Sequence, residues 1–265
     1  MTSGFTTASG GTAAGAAGVD LTGRVALVTG GGGGIGRACA VALAAAGAFV
    51  HVVDVDARAA AEVADLVGGR AHPADLGDPA AVEGLPAAVD VLVNNAGLQH
   101  VSSIEEFPPE RFETMLRVMV TAPFLLLRRT LPHMYGRGWG RVVNISSVHG
   151  LRASPFKSGY VAAKHALEGL SKVTALEAAA RGVTSNCVNP GYVRTPLVER
   201  QIAAQAEAHG IPPEQVVAEV LLRGSAIKRL IEPEEVASVV LWLCGPHTSH
   251  VTGASLPMDG GWTAA

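Results

Sequence analysis

The chain is short of cysteine, aromatics and charge, and each shortage removes a class of protein. Only three cysteines stand in 265 residues, namely Cys39, Cys187 and Cys244. Their odd number and wide spacing argue against a disulfide framework and form no metal-ligand pattern, so reduced thiols in a cytoplasmic protein without a metal are expected. Aromatic residues make up 5% and charged residues 16%, with a formal net charge of -3. No basic surface is therefore on offer to nucleic acid or an anionic membrane. Long apolar runs are missing too: the longest, from Ala38 to Val53, is broken by Gly47 and His51 and stops at Asp54. That falls short of a membrane span. The first 19 residues hold no Lys or Arg, which leaves them without the basic start of a secretory signal or the arginines of a transit peptide. They read as a flexible tail ahead of one domain, residues 20–265.

What is abundant is small and apolar. Hydrophobic residues reach 48%, led by Ala, and there are 32 glycines, a composition suited to helices lying close on a sheet. Short β-branched runs at Val25–Thr29, Phe49–Asp54, Arg70–His72, Asp90–Asn94, Arg141–Ser146, Thr184–Asn189 and Ala254–Met258 read as strands. Between them, Ile35–Ala46, Pro109–Tyr135, Tyr160–Ala180 and Pro233–Leu243 have helical length. This alternation predicts an α/β fold, a doubly wound parallel β-sheet with helices on both faces. Strands as continuously apolar as Val25–Val28 suit burial on both sides. The stretch of about 193–231, with Gly210 and Pro212-Pro213, is longer than an ordinary connection and is a candidate lid over a substrate.

Two sequence constellations carry chemistry. The first is Thr29 followed by Gly30-Gly31-Gly32-Gly33-Gly34-Ile35-Gly36 between a strand and a helix, a turn whose backbone can approach a pyrophosphate while helix amides point at it. Eighteen residues past Gly36, Asp54 closes the second strand, where a carboxylate accepts from ribose hydroxyls and repels a 2′-phosphate. NAD is thus expected rather than NADP, with Asp56 a competitor for the same role. Asp75-Leu76 fits an adenine contact, and Asn94-Asn95-Ala96-Gly97 leaves room for a cofactor at the end of the fourth strand.

The second constellation is Ser147, Tyr160 and Lys164. Oxidising an alcohol requires a base for its hydroxyl proton while hydride leaves carbon. A tyrosine with a free pKa of about 10 becomes such a base only beside positive charge. Lys164, one helical turn from Tyr160, supplies that charge on the same face, and Ser147 can hold the substrate oxygen.

Together these residues, with Pro190-Gly191 and Thr195 downstream, resemble the short-chain dehydrogenase/reductase family over the whole chain after the tail. The resemblance implies a Rossmann-type fold, hydride transfer with a nicotinamide dinucleotide, and a homotetramer. It makes Tyr160 the catalytic base, Lys164 its activator and ribose contact, and Ser147 the substrate positioner, with Pro190, Gly191, Val193 and Thr195 joining the cofactor site. One position departs from the family pattern: where it carries a catalytic Asn, five residues before Phe124, this chain has Met119. A thioether cannot donate as an amide does, so the proton relay has to run another way or catalysis slows.

Gln99, His149, Lys157 and Gln201, with Thr195-Pro196-Leu197-Val198, resemble the corresponding parts of the D-3-hydroxybutyrate dehydrogenases within that family. The resemblance implies that these four residues bind a substrate carboxylate, and that the reaction is NAD-dependent, reversible oxidation of (R)-3-hydroxybutyrate to acetoacetate. An ammonium with neutral donors suits a carboxylate on chemical grounds as well. Tyr192 and Trp262 are candidates to close the pocket. The competing expectations are another small hydroxy acid or secondary alcohol with the same mechanism, and a non-catalytic NAD-binding regulatory protein.

Overall fold

The computed structural model describes residues 18–264, apart from 197, 200, 201, 203–205 and 207–209. Nearly all of the expected tail, and Gln201, therefore lie outside the described residues. Seven strands form one sheet in the order β3-β2-β1-β4-β5-β6-β7: β1 Val25–Thr29, β2 Phe49–Asp54, β3 Arg70–Pro73, β4 Val91–Asn94, β5 Gly140–Ile145, β6 Val183–Pro190 and β7 Ser255–Met258. Every pairing is parallel. The chain steps outward from β1 to β3, then returns to place β4 on the other side of β1. That reversal opens a crevice beyond the C-terminal ends of β1 and β4.

Helices cover both faces, as the alternation of the sequence demands: α1 Gly34–Ala45, α2 Ala57–Val67, α3 Pro79–Glu83, α4 Pro109–Leu116, α5 Ala122–Arg137, α6 Ser158–Ala178 and α7 Pro233–Leu243. Val50 and Val52 pack into one apolar layer with α1, α2 and α7. Leu27 and Val53, on the opposite face, join Leu126 and Leu127 of α5. Strands β5 and β6 are buried at every position, although they carry Arg141, Asn144, Thr184, Ser185, Asn186 and Asn189 among their apolar residues, so here burial on both faces is not matched by a wholly apolar sequence. Cys39, Cys187 and Cys244 are free and buried in this core.

Three features differ from or refine the sequence reading. The run expected as one helix from Pro109 to Tyr135 is α4, a π-helical turn at Arg117–Thr121, and α5. Pro123 has no N–H to offer the carbonyl of Met119, and the ladder slips: the Ala122 N–H reaches back five residues to the Arg117 carbonyl. The slip leaves Met119 1% exposed. Asp56 is a helix cap, its carboxylate accepting the N–H groups of Arg58 at 3.0 Å and Ala59 at 3.1 Å. Finally, the excursion after β6 leaves and returns at one point: Val193 bridges Ile231, with Arg194 N donating to Ile231 O at 2.8 Å and Ile231 N to Tyr192 O at 3.0 Å. Inside it, Ile202, Val216, Leu221, Leu222 and Leu230 form a small apolar cluster with Tyr192 against it.

Candidate active site

The turn after β1 is tight because glycine permits it. Gly30 has φ +61, and a Cβ on Gly36 would stand 2.1 Å from the Gly30 carbonyl oxygen, so a side chain there would push α1 off the turn. Asn95 pins this turn to the end of β4, its amide donating to the carbonyls of Thr29 at 2.9 Å and Gly30 at 3.1 Å. Thr29 answers by accepting the N–H groups of Asn95 and Ala96 on its hydroxyl. Helix α1 is entered from Gly33 as its N-cap, with no side-chain cap and no acidic residue in its first turn. Its leading amides are left free of any competing carboxylate, the arrangement that favours a phosphate.

A cavity of about 630 Å³ runs from this cradle to the chemical residues. At its cofactor end lie Gly30, Gly34, Ile35, Asp54, Asp75, Leu76, Asn95, Ala96 and Gly97, with Pro190, Gly191, Val193 and Thr195 along one wall. Asp54 is held toward the turn by the N–H of Gly32 at 2.9 Å. Thr195 packs over Gly34, whose Cβ, if present, would meet the threonine methyl at 3.1 Å. Gly36 lies beneath the turn and not on the cavity wall. These residues fit a dinucleotide: a glycine cradle, an uncapped helix start and a carboxylate at the end of β2.

At the other end, Ser147 leaves β5 in extended backbone and caps the short turn Val148–Gly150. Its carbonyl accepts the amide of Asn189 at 3.0 Å, and that amide also donates to Glu168 at 2.5 Å. Glu168 accepts a second bond, from the Ser255 hydroxyl, at 2.6 Å. This buried bracket ties β5, β6, β7 and α6 together behind the serine.

Tyr160 and Lys164 project from α6 as their spacing predicts. The Lys164 ammonium sits 5.5 Å from the Tyr160 ring centre and donates to the Ile145 carbonyl at 2.7 Å. Burial lowers the Lys164 pKa to about 8, opposed by Cys187 and Glu168 nearby. Burial also pushes the Tyr160 hydroxyl up, while its hydrogen bond with Ser147 pulls it down. Met119 closes the far side of this pair, packed with Met115, Ala163 and Tyr160.

Gln99, His149 and Lys157 share the cavity with Ser147 and Tyr160. His149 is 7% exposed, and burial, then the charges of Lys157 and His165, lower its pKa to about 4. Its Nε2 meets the Ser154 hydroxyl at 2.9 Å and its Nδ1 faces Ser147 Oγ at 3.5 Å. The Trp262 ring centre lies 5.9 Å from that of His149, and Lys157 Nζ lies 5.7 Å from the Tyr192 ring centre. Phe156, just before Lys157, holds a left-handed φ of +65, and its carbonyl accepts the Ser102 N–H at 3.0 Å. That strained residue turns the loop so that Lys157 opens onto the cavity.

The sequence reading missed several wall residues, among them Leu98, Thr114 and Val118. Thr114 comes from α4 and Val118 from the π-helical turn, whose sequence signal is Pro123. The Asn189–Glu168 bracket was missed as well, since each residue alone looks like an ordinary polar position.

A family model described as Enoyl-(Acyl carrier protein) reductase matches residues 30–263. The chain is 49% identical over 212 residues to the D-beta-hydroxybutyrate dehydrogenase of Rhizobium meliloti, covering 77% of this chain and 82% of that protein. Against the D-beta-hydroxybutyrate dehydrogenase of Cupriavidus necator it is 44% identical over 221 residues, covering 80% and 85%. Among solved structures, L-sorbose reductase from Gluconobacter frateurii, complexed with NADPH and L-sorbose, superposes with a TM-score of 0.86 at 27% identity, over 93% of this chain and 99% of that one.

Proposed function

From the membership of this chain in the short-chain dehydrogenase/reductase family, as an oxidoreductase, we propose that it catalyses the reversible, NAD-dependent oxidation of (R)-3-hydroxybutyrate to acetoacetate. The observation that carries the reading is the joint presence of Ser147, Tyr160 and Lys164 with the Lys157 ammonium in one cavity. When bound, the oxidised nicotinamide supplies the hydride acceptor and a positive ring beside Tyr160. The residues of the chain do the rest. Ser147 donates to the substrate oxygen and fixes it beside Tyr160, which takes the hydroxyl proton as its phenolate. Lys164 keeps the phenolate accessible by its charge. Lys157 and Gln99 meet the carboxylate at the other end of a short carbon chain, with His149 in the same wall and Gln201 as a fourth contact. The excursion 193–231 serves as the lid, with Tyr192 at its root.

Asp54 supports NAD over NADP, because an adenosine 2′-phosphate would bring negative charge against its carboxylate. A homotetramer, implied by the family resemblance, would give apolar partners to Phe124, Leu176 and Trp242, which are 51%, 84% and 45% exposed. Among the described residues no helix is long and apolar enough to cross a membrane.

The test is to mix purified protein with (R)-3-hydroxybutyrate and NAD and follow reduced-cofactor absorbance, with the (S) isomer and NADP in parallel. Turnover selective for the (R) isomer and NAD is the expected result. Turnover of neutral secondary alcohols but of neither isomer would replace the substrate, and NAD binding without turnover of any alcohol would return a regulatory role.

A further inference from the structure

We propose that the Ser147–His149–Ser154 file is a proton wire that carries the Tyr160 proton to solvent. The inference rests on Tyr160 acting as the base, and it gives the proton an exit that starts in the cavity at Ser147 and His149 and leaves it at Ser154. The far side of Tyr160 is apolar: Met115, Met119 and Ala163 pack there. The Lys164 ammonium beside it donates into the Ile145 carbonyl at 2.7 Å, and a backbone carbonyl holds no exchangeable proton. Ser147 and His149 line the cavity beside Tyr160, the His149 ring centre standing 6.0 Å from that of Tyr160, and Ser147 is the polar side chain that draws the Tyr160 pKa down against burial. From Ser147 Oγ the next polar atom is His149 Nδ1 at 3.5 Å, and from His149 Nε2 it is Ser154 Oγ at 2.9 Å. The first of these distances is long, as catalytic hydrogen bonds often are before substrate closes the site. Both ring nitrogens thus face hydroxyls. Burial keeps the imidazole neutral at ordinary pH, and a neutral ring accepts a proton on one nitrogen while donating from the other. Ser154 is half-buried and stands outside the residues lining the cavity, so the wire discharges beyond it.

The transfers balance. The Tyr160 O–H bond breaks and its proton goes to Ser147 Oγ, while the proton already on Ser147 moves to His149 Nδ1. The proton on His149 Nε2 passes to Ser154 Oγ, and the Ser154 proton goes to water. One proton leaves, Tyr160 is again a phenolate, and the His149 tautomer has changed from Nε2–H to Nδ1–H.

That tautomer change gives a readout independent of turnover. In cofactor-free protein labelled with nitrogen-15 histidine, and with His149 assigned by its loss in His149→Gln, the two ring nitrogens are expected to exchange protonation as Tyr160 ionises. The change should vanish in Tyr160→Phe. Kinetics form the second arm. Ser154→Ala should lower single-turnover alcohol oxidation about tenfold, a fraction of a full acid–base contribution. The solvent deuterium isotope effect should rise and KM should stay, with Ser154→Thr restoring the rate. These are measured on (R)-3-hydroxybutyrate and on a neutral secondary alcohol, because a wire serves both whereas a carboxylate contact serves only the first. Equal slowing on both substrates supports the wire. A higher KM confined to the hydroxy acid, or an unchanged rate and isotope effect in Ser154→Ala, overturns it. If no alcohol is turned over, the enzymatic reading fails on its own and the tautomer titration alone decides the wire: a His149 ring indifferent to Tyr160 ionisation refutes it.

Discussion

The amide of Asn189 on β6 meets the carboxylate of Glu168 on α6 at 2.5 Å, joining the strand behind the active site to the helix that carries Tyr160 and Lys164. Asn189→Ala strips a buried carboxylate of one partner and leaves the Ser147 carbonyl without its side-chain donor. We expect urea unfolding to give a loss of about 2 kcal/mol, the cost of a buried acceptor left unpaired. The rate should fall as well, because Ser147 is no longer held from behind.

Lys157→Met keeps the length of the side chain and removes its charge. A charge-assisted hydrogen bond of about 1.5–3 kcal/mol corresponds to a rise of about 10- to 100-fold in KM for a hydroxy acid. Steady-state kinetics on a neutral secondary alcohol should show no matching rise. Equal effects on both would remove Lys157 from the carboxylate site.

Asp54→Asn keeps an acceptor for the Gly32 amide, which Asp54 now binds at 2.9 Å, and removes the negative charge. The ratio of NAD to NADP affinity should drop by about tenfold, the factor that ~1.4 kcal/mol represents. Cofactor titration by fluorescence measures it directly.

Acid should act on the outer edge of the sheet. His72 Nε2 and His51 Nδ1 lie 2.9 Å apart on β3 and β2, and burial, then the charges of His72 and Arg70, lower the His51 pKa to about 4. Burial, then Arg70, lowers that of His72 too. Because the folded protein holds His51 below its ordinary 6.5, the neutral pair contributes its full stability above that value and loses it as pH falls toward 4. The melting temperature should drop through this window, and by less in His51→Gln.

The sheet was legible in the sequence because parallel strands covered on both sides must be apolar without interruption, as Val91–Val93 are. Tyr160 and Lys164 were legible because a spacing of four puts them on one face of α6, and Ser147 because it follows the apolar run of β5. Other features depend on contacts between distant segments. Asp54 and Asp56 are equivalent as letters, and only the fold makes one a cap and the other a wall of the cavity. The helix α2 between Asp56 and Gly68 did carry cap signals at both ends, yet its Ala-rich sequence stands out little in an Ala-rich chain. Glu168 and Asn189 sit 21 residues apart with no pattern between them. Ser154 reaches His149 because of a loop conformation fixed in part by the left-handed Phe156, which no local preference foretells.

The bridge between Val193 and Ile231 has a consequence for how such an enzyme changes over generations. A segment that departs and rejoins at one clasp can lengthen, shorten or be replaced while the clasp and everything behind it stay put. Each doubling of its length adds only about 0.6 kcal/mol of closure cost. If this excursion is the lid proposed above, the share of substrate preference it carries can drift apart from that set by Gln99, His149 and Lys157, and a graft that begins after Val193 and ends before Ile231 is the natural unit with which to test it.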